Sequence, residues 1–358
     1  NTSLYRWTAQ FINNCTVEVN GEQITWEKIY IATGSIPQIP NISGLSDTPY
    51  MTSKDALQNE KLPKKMIVIW GWYIAVELGH VYGAAGCDVH FLVRSSMIKS
   101  EDKDIREAFQ KDFGNRYNVH FWISPTKIEY KNDTFYVTVQ DREWNEEIME
   151  SDALFVATGV IPMTKGLGLE NTDITTNKRG YIEVNSHLET KAPWVYALWD
   201  VVGNYLFRHS VNFEGEYLLK QHFQWHEKAP IKYPPMPHAI FTYPQIAGVW
   251  ATEDELIKQG KKRWVDYEIA SVDYKNTAMG SAMKSEVGFV KLIADIHTRK
   301  ILWAHILGEK SSDIIHMMIV IISAWETVDF MLDKMIFIHP ALSEVIRNAA
   351  RKLDLNMS

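Results

Sequence analysis

The chain holds two cysteines, Cys15 and Cys87, among 358 residues. So few exclude a disulfide framework and suit a reducing cytoplasm. Long apolar runs are missing as well. The longest, Met317 to Ile322, falls far short of the roughly 20 residues that a bilayer-spanning helix needs, so no membrane partner is expected. The sequence opens at Asn1 without a methionine or a charged-then-apolar leader, and no signal peptide is read. An excess of positive charge is also lacking. With 37 Lys and Arg against 44 Asp and Glu, the net charge of -7 argues against a nucleic-acid platform. Glycine is scarce, at 19 residues, or ~5% where roughly 7% is usual. Tryptophan, at 13, is plentiful.

What remains is an ordinary globular composition, long enough for two or three domains. Residues 16–34 read as short strands, and Pro37 and Pro40 break the chain after them. The continuous apolar run Lys65–Ile69 predicts a buried parallel strand, Ile74–Tyr82 a helix and Asp88–Val93 the next strand, which together make a βαβ unit. Glu101–Phe113 reads as a charged amphipathic helix, followed by strands at 127–130, 134–140 and 153–157. A helix after Phe213 is expected to reach about His226, and Pro234-Pro235 marks a boundary. Strands at 266–270, 287–293 and 300–306 precede helices at 311–325 and 341–352. The pattern is an α/β region followed by a smaller α+β domain.

Four segments carry a family resemblance. Ile31-Ala-Thr-Gly-Ser-Ile-Pro37 is echoed by Val156-Ala-Thr-Gly-Val-Ile-Pro162. Val68-Ile-Trp-Gly-Trp-Tyr-Ile-Ala-Val-Glu77 follows a strand and opens a helix. Val195-Tyr-Ala-Leu-Trp-Asp200 and Ile338-His-Pro-Ala-Leu-Ser-Glu344 complete the set. In this order and at this spacing they resemble the pyridine-nucleotide disulfide oxidoreductases over nearly the whole chain. The resemblance implies FAD/NAD(P)-binding Rossmann-like domains plus a C-terminal α+β dimerisation domain. Its parts would be a partial FAD-binding domain at 1–54, an NAD(P)-binding domain at 55–163, a return to the FAD domain at 164–230 and a dimerisation domain at 231–358.

The same resemblance assigns roles. Thr33, Gly34 and Asp200 would hold FAD, with Asp200 on the ribityl chain. Gly71, Tyr73, Ile74, Ala75, Glu77 and Gly159 would serve the pyridine nucleotide, with Tyr73 shielding the nicotinamide pocket and Glu77 pairing with a lysine near the flavin. Arg94 ends the second strand of the βαβ unit, where NAD-binding folds place an acid. A cation there, helped by Lys99, suits a 2′-phosphate and favours NADPH over NAD. A solvated arginine at a strand end is the plain alternative. His339 and Glu344 would be the acid–base pair: a neutral imidazole exchanges protons with thiols near pH 7, and a carboxylate fixes its tautomer. Alone, His339 would be read as a residue preceding a proline. The expected reaction is reduction of a low-molecular-weight disulfide by a homodimer. Tyr205–Asn212, Met236–Val249 and Thr277–Met283 resemble the mycothione reductase branch, and dihydrolipoyl dehydrogenases share much of this. No metal site is expected: His222 and His226 have i, i+4 spacing without further ligands, and the Met-rich run 314–322 reads as core.

Two features depart from the family pattern. The redox-active Cys-x4-Cys and the first glycine-rich fingerprint are absent, and the resemblance implies that both lie upstream of Asn1. Tryptophan also stands where the family has glycine, at Trp7, Trp70, Trp72, Trp199, Trp250, Trp303 and Trp325. Trp194 and Trp225 fit less diagnostically. Drift would scatter such positions over many residue types. Uniform replacement by tryptophan points instead to UGA codons that specify glycine being read as tryptophan. If Trp70 and Trp72 are genuine, a non-catalytic dimeric scaffold is the alternative.

Overall fold

The computed structural model describes residues 2–224, 229–249 and 251–357. Chain contacts divide it into two compact units, one of residues 1–38 with 159–233 and one of 39–158 with 234–358. The chain passes between them just after Pro37, inside Val156–Pro162, and ahead of Pro234.

The first unit is built on short pairings. Ala9–Asn13, Thr16–Val19 and Glu22–Thr25 form an antiparallel meander. Ile29–Ile31 runs parallel to Val195–Ala197, and Ser35–Pro37 antiparallel to Val160–Pro162. These pairings set the two Ala-Thr-Gly-type segments and Asp200 close together. Phe11, Ile31, Ile182, Val195 and Val201 form their core. The helix Arg208–Phe223 ends at Phe223; the sequence expectation of a helix to about His226 runs into positions outside the described residues, as do Trp225, His226 and Trp250.

Among its described residues the second unit holds three sheets. A parallel sheet orders Ala153–Val156, Lys65–Ile69, Asp88–Val93 and Asn118–Phe121, with the helices Tyr73–Ala84 and Lys103–Arg116 between its strands. Met66, Ile67 and Val68 are fully buried, which is why this strand reads as an unbroken apolar run. Ser124–Lys131, Thr134–Gln140 and Glu146–Ser151 form an antiparallel sheet. The last sheet is five-stranded and antiparallel, in the order Pro237–Ile240, Gln245–Val249, Ile301–Gly308, Phe289–Asp295, Tyr267–Asp273. The helices Ser311–Ser323 and Glu344–Met357 bury Ile315, Met318, Val345 and Ile346 against it. Met317 and Ile319 of the Met-rich run are partly buried against the same core. Among the described residues no helix is long and apolar enough to cross a membrane. The architecture is mixed α/β with a C-terminal α+β domain.

Candidate functional site

Within the second unit, chemistry collects at the carboxyl end of the strand Lys65–Ile69, the end at which open parallel sheets take ligands. The turn Trp70-Gly71-Trp72 leads from that strand into the helix Tyr73–Ala84. At Gly71 a Cβ would meet Met97 Cγ at 3.0 Å and Val93 Cγ2 at 3.2 Å, so the turn lies tight against its neighbours. Ala75 is fully buried in the first turn of the helix and Ile74 is packed against the same core. A helix N-terminus offers unpaired N–H groups to an anion. Arg94, Ser95, Ser96 and Lys99 line the groove beside that terminus, together with both indoles.

The indoles occupy the place a phosphate would need. Trp70 has φ 101°, and its ring lies 4.0 Å from the Arg94 guanidinium carbon. Trp72 caps the helix and stacks on Tyr73 with ring centroids 5.2 Å apart. With tryptophan at both positions the turn does not fit a dinucleotide pyrophosphate.

Beneath the turn lies a polar network that the sequence reading missed. The Tyr73 hydroxyl donates to Glu101 Oε1 and lies 3.0 Å from Ser100 Oγ. Glu101 is 2% exposed, and its Oε2 sits 2.9 Å from Nε2 of His238. Burial opposes ionisation of Glu101, but His238, the Tyr73 hydroxyl and His305 together outweigh it and hold the carboxyl below its usual range. Next in sequence, Asp102 caps the helix Lys103–Arg116 through the Asp104 N–H and accepts from Lys291 Nζ at 2.9 and 3.0 Å. Lys291 is fully buried and also donates to Asp104 and Glu253. Burial pulls its pKa down, and these carboxylates more than reverse that. Glu77 lies on the helix after the turn. Its Oε1 accepts from the backbone N–H of Phe241 at 2.9 Å, and among the described residues it makes no ion pair. Burial raises its pKa.

Glu344 begins the last helix, and His339 stands ahead of it. Glu344 is 3% exposed; it accepts from Arg347 at 2.9 Å and from the Ala341 N–H at 3.3 Å. Both of its oxygens reach His339 Nδ1, at 3.0 and 3.1 Å. The hydrogen bond from His339 is the largest influence lowering the Glu344 pKa. A carboxylate on Nδ1 keeps a hydrogen there and leaves Nε2 as the basic nitrogen. The His339 side chain is 69% exposed, so Nε2 is open to a partner.

In the first unit, Thr33 Oγ1 donates to the Met163 carbonyl at 2.9 Å, and Met163 N–H to the Gly34 carbonyl at 3.0 Å. Ser35 Oγ donates to Asp200 Oδ2 at 2.6 Å, while Asp200 Oδ1 is buried without a partner. A buried orphan acceptor is costly, and this one suits a hydroxyl donor such as a ribityl chain. Against that fit, the Trp199 ring lies on Gly34, where a Cβ would come within 3.0 Å of it. The shelf between Gly34 and Asp200 is therefore filled, and a flavin does not fit beside a tryptophan at 199. Gly159, expected with the nucleotide residues, lies in this unit, and its carbonyl accepts from Gln38 N–H at 2.8 Å. His222 Nδ1 lies 2.7 Å from the Tyr30 hydroxyl. Cys15 is exposed and Cys87 buried, both as free thiols.

Comparison with known proteins accounts for this arrangement. Over 99% of its length the chain is 29% identical to mercuric reductase of Staphylococcus aureus, and it covers 64% of that protein. It is 31% identical to dihydrolipoyl dehydrogenase of Cupriavidus necator, covering 95% of this chain and 72% of that one. Against the HOCl-induced flavoprotein disulfide reductase RclA from Escherichia coli the TM-score is 0.87 at 25% identity, over 96% of this chain and 78% of that one. The chain thus spans a little under two thirds of some relatives it matches. Residues 2–220 match the pyridine nucleotide-disulphide oxidoreductase model and residues 236–350 its dimerisation domain, and the chain belongs to that family.

Proposed function

We propose that the protein is a flavin-dependent NAD(P)H:disulfide oxidoreductase that reduces a low-molecular-weight disulfide as a homodimer. The observation that carries the reading is the pair His339 and Glu344. A buried carboxylate orients an exposed imidazole whose Nε2 is open, the arrangement required to take a proton from one thiol and return it to a leaving thiolate. In this reading, with glycine at 199, Thr33, Gly34 and Asp200 would serve FAD. Gly71, Tyr73, Ile74, Ala75 and Gly159 serve the nucleotide, with Arg94 and Lys99 selecting NADPH over NAD by their charge beside the groove. Glu77 belongs to the same nucleotide set and would pair with a lysine near the flavin. The domain limits 1–54, 55–163, 164–230 and 231–358 are part of the same proposal, as is residence in a reducing cytoplasm. The thiols that would attack a disulfide are not Cys15 and Cys87, so the reading concerns the whole protein.

The branch favoured is mycothione reductase-like, with dihydrolipoyl dehydrogenase as its alternative. A different class, the non-catalytic dimeric scaffold, draws support from the closed turn at Trp70 and Trp72. The test is expression of the complete gene with glycine at positions 70, 72 and 199. Bound flavin absorbance and NADPH consumption with a mycothiol-type, glutathione-type or lipoamide disulfide are expected. Absence of both signals would leave the scaffold.

A further inference from the structure

The cofactor sites fail to fit at tryptophans, and at two of these, Trp70 and Trp199, the backbone has the positive φ that favours glycine. Of the 13 tryptophans, 11 lie among the described residues. Seven of these have left-handed or otherwise positive φ: Trp70, Trp122, Trp144, Trp194, Trp199, Trp264 and Trp325, from 58° to 101°. A few per cent is usual for residues other than glycine, and for a bulky side chain such a φ is an outlier. The chain's own glycines behave alike, with 11 of 19 at positive φ. Positive φ is thus about as frequent among the described tryptophans as among the glycines.

Three helix ends make the point within one molecule. After Tyr73–Ala84, Gly86 N–H donates to the Gly83 carbonyl and Cys87 N–H to that of Tyr82. After Glu253–Lys258, Gly260 N–H donates to Ile257 and Lys261 N–H to Leu256. After Ser311–Ser323, Trp325 N–H donates to Ile322 and Glu326 N–H to Ile321. All three are Schellman ends, in which the residue past the cap is left-handed and is usually glycine because it has no Cβ. Two of them carry glycine and the third carries tryptophan.

The side chains also lack the burial that would justify an indole. Trp122, Trp144, Trp194, Trp264 and Trp325 are between 42% and 78% exposed, although tryptophan is usually highly buried. Trp144 sits in the hairpin turn between Thr134–Gln140 and Glu146–Ser151, capped by Asp141, a position where three-residue hairpin loops place glycine.

We infer that these seven positions, and Trp72 in the same turn as Trp70, are glycine in the protein as its own cells make it. The codons there are UGA, decoded as glycine. With glycine at 70 and 72 the turn after Lys65–Ile69 opens to a phosphate group, and with glycine at 199 the shelf between Gly34 and Asp200 opens beside the orphaned Asp200 Oδ1. At the seven positive-φ positions the inference stands on backbone geometry; at Trp72, whose φ is -94°, it stands on the place of the indole beside Trp70 at the groove; at none does it rest on the proposed activity.

The test is peptide mass spectrometry of the protein purified from its source cells, set beside the codons of its gene. Glycine in the peptides that span residues 144, 264 and 325, from UGA codons, is the expected result. Tryptophan in those peptides, or UGG codons at these positions, overturns the inference whatever the protein catalyses. A flavin-free but glycine-bearing protein would refute the proposed activity and leave the inference standing.

Discussion

Replacing Trp144, Trp264 and Trp325 by glycine and, separately, by alanine isolates the backbone from the rings. Both replacements remove the same indole, together with its stacking on Arg263 or Lys300 where present. They differ in the left-handed strain, which costs a residue with a Cβ about 1–2 kcal/mol. Glycine avoids that strain and loses roughly 0.5–1 kcal/mol more unfolded-state entropy than alanine. Glycine should therefore exceed alanine by about 0.5–1 kcal/mol per site, or about 1.5–3 kcal/mol for the triple variant, because distant sites add. At about 2–4 °C per kcal/mol for a unit of this size, the two triple variants should melt roughly 3–12 °C apart. Trp26 supplies the opposite sign. It is 60% exposed without a positive φ, so W26G should be less stable than W26A by about 0.5–1 kcal/mol. Scanning calorimetry of the four proteins reads all of this. Equal stability of the triple variants, or greater stability of the alanine one, would refute the reasoning.

Other outcomes follow from the buried charges. Lys291→Met leaves Asp102 without its partner inside the protein, and urea unfolding at pH 7 should show a loss of about 3–5 kcal/mol. Asp102 has a lowered pKa, with burial opposing and His305 and Lys291 prevailing. Its stabilisation is present above the unfolded pKa and lost as pH falls through the folded one, so the penalty of K291M should shrink in acid. On the proposed function, His339→Gln in the complete protein should lower disulfide turnover about 10²–10⁴-fold. Glu344→Gln should lower that turnover as well, because a neutral amide holds the imidazole Nδ1–H less firmly and orients the ring less well. Burial pushes the Cys87 thiol up to about 11, so iodoacetamide at pH 8 should label Cys15 in the native chain and Cys87 only after unfolding, as peptide mapping would show.

Elements with a strong period were legible in the sequence. The fully buried strand Lys65–Ile69 announced itself by its apolar run, and the helix after it was expected one residue late, from Ile74, because Trp72 gives no capping signal. The helix expected from Glu101 starts at Lys103: Asp102 caps it, and Glu101 turns inward to Tyr73 and His238. Glu146–Ser151 was missed because four of its six residues are exposed and charge hides its alternation. His339 and Glu344 were paired through the family resemblance of Ile338–Glu344, and their contact is local, five positions apart. The polar network could not: Lys291 meets Asp102 across 189 positions, and a buried lysine reads in sequence as a solvated one. The tryptophans were conspicuous as residue types in the wrong places. Only the φ angles show that the chain needs no Cβ there.

The most direct measurement is calorimetric titration of NADPH into the chain as written and into its W70G/W72G variant. The central claim is that a nucleotide groove exists after Lys65–Ile69 and is closed only by two indoles at glycine positions. It predicts no heat of binding for the first protein and saturable binding for the second, weakened when Arg94 is also replaced by alanine. Binding to neither protein, or equal binding to both, would contradict it.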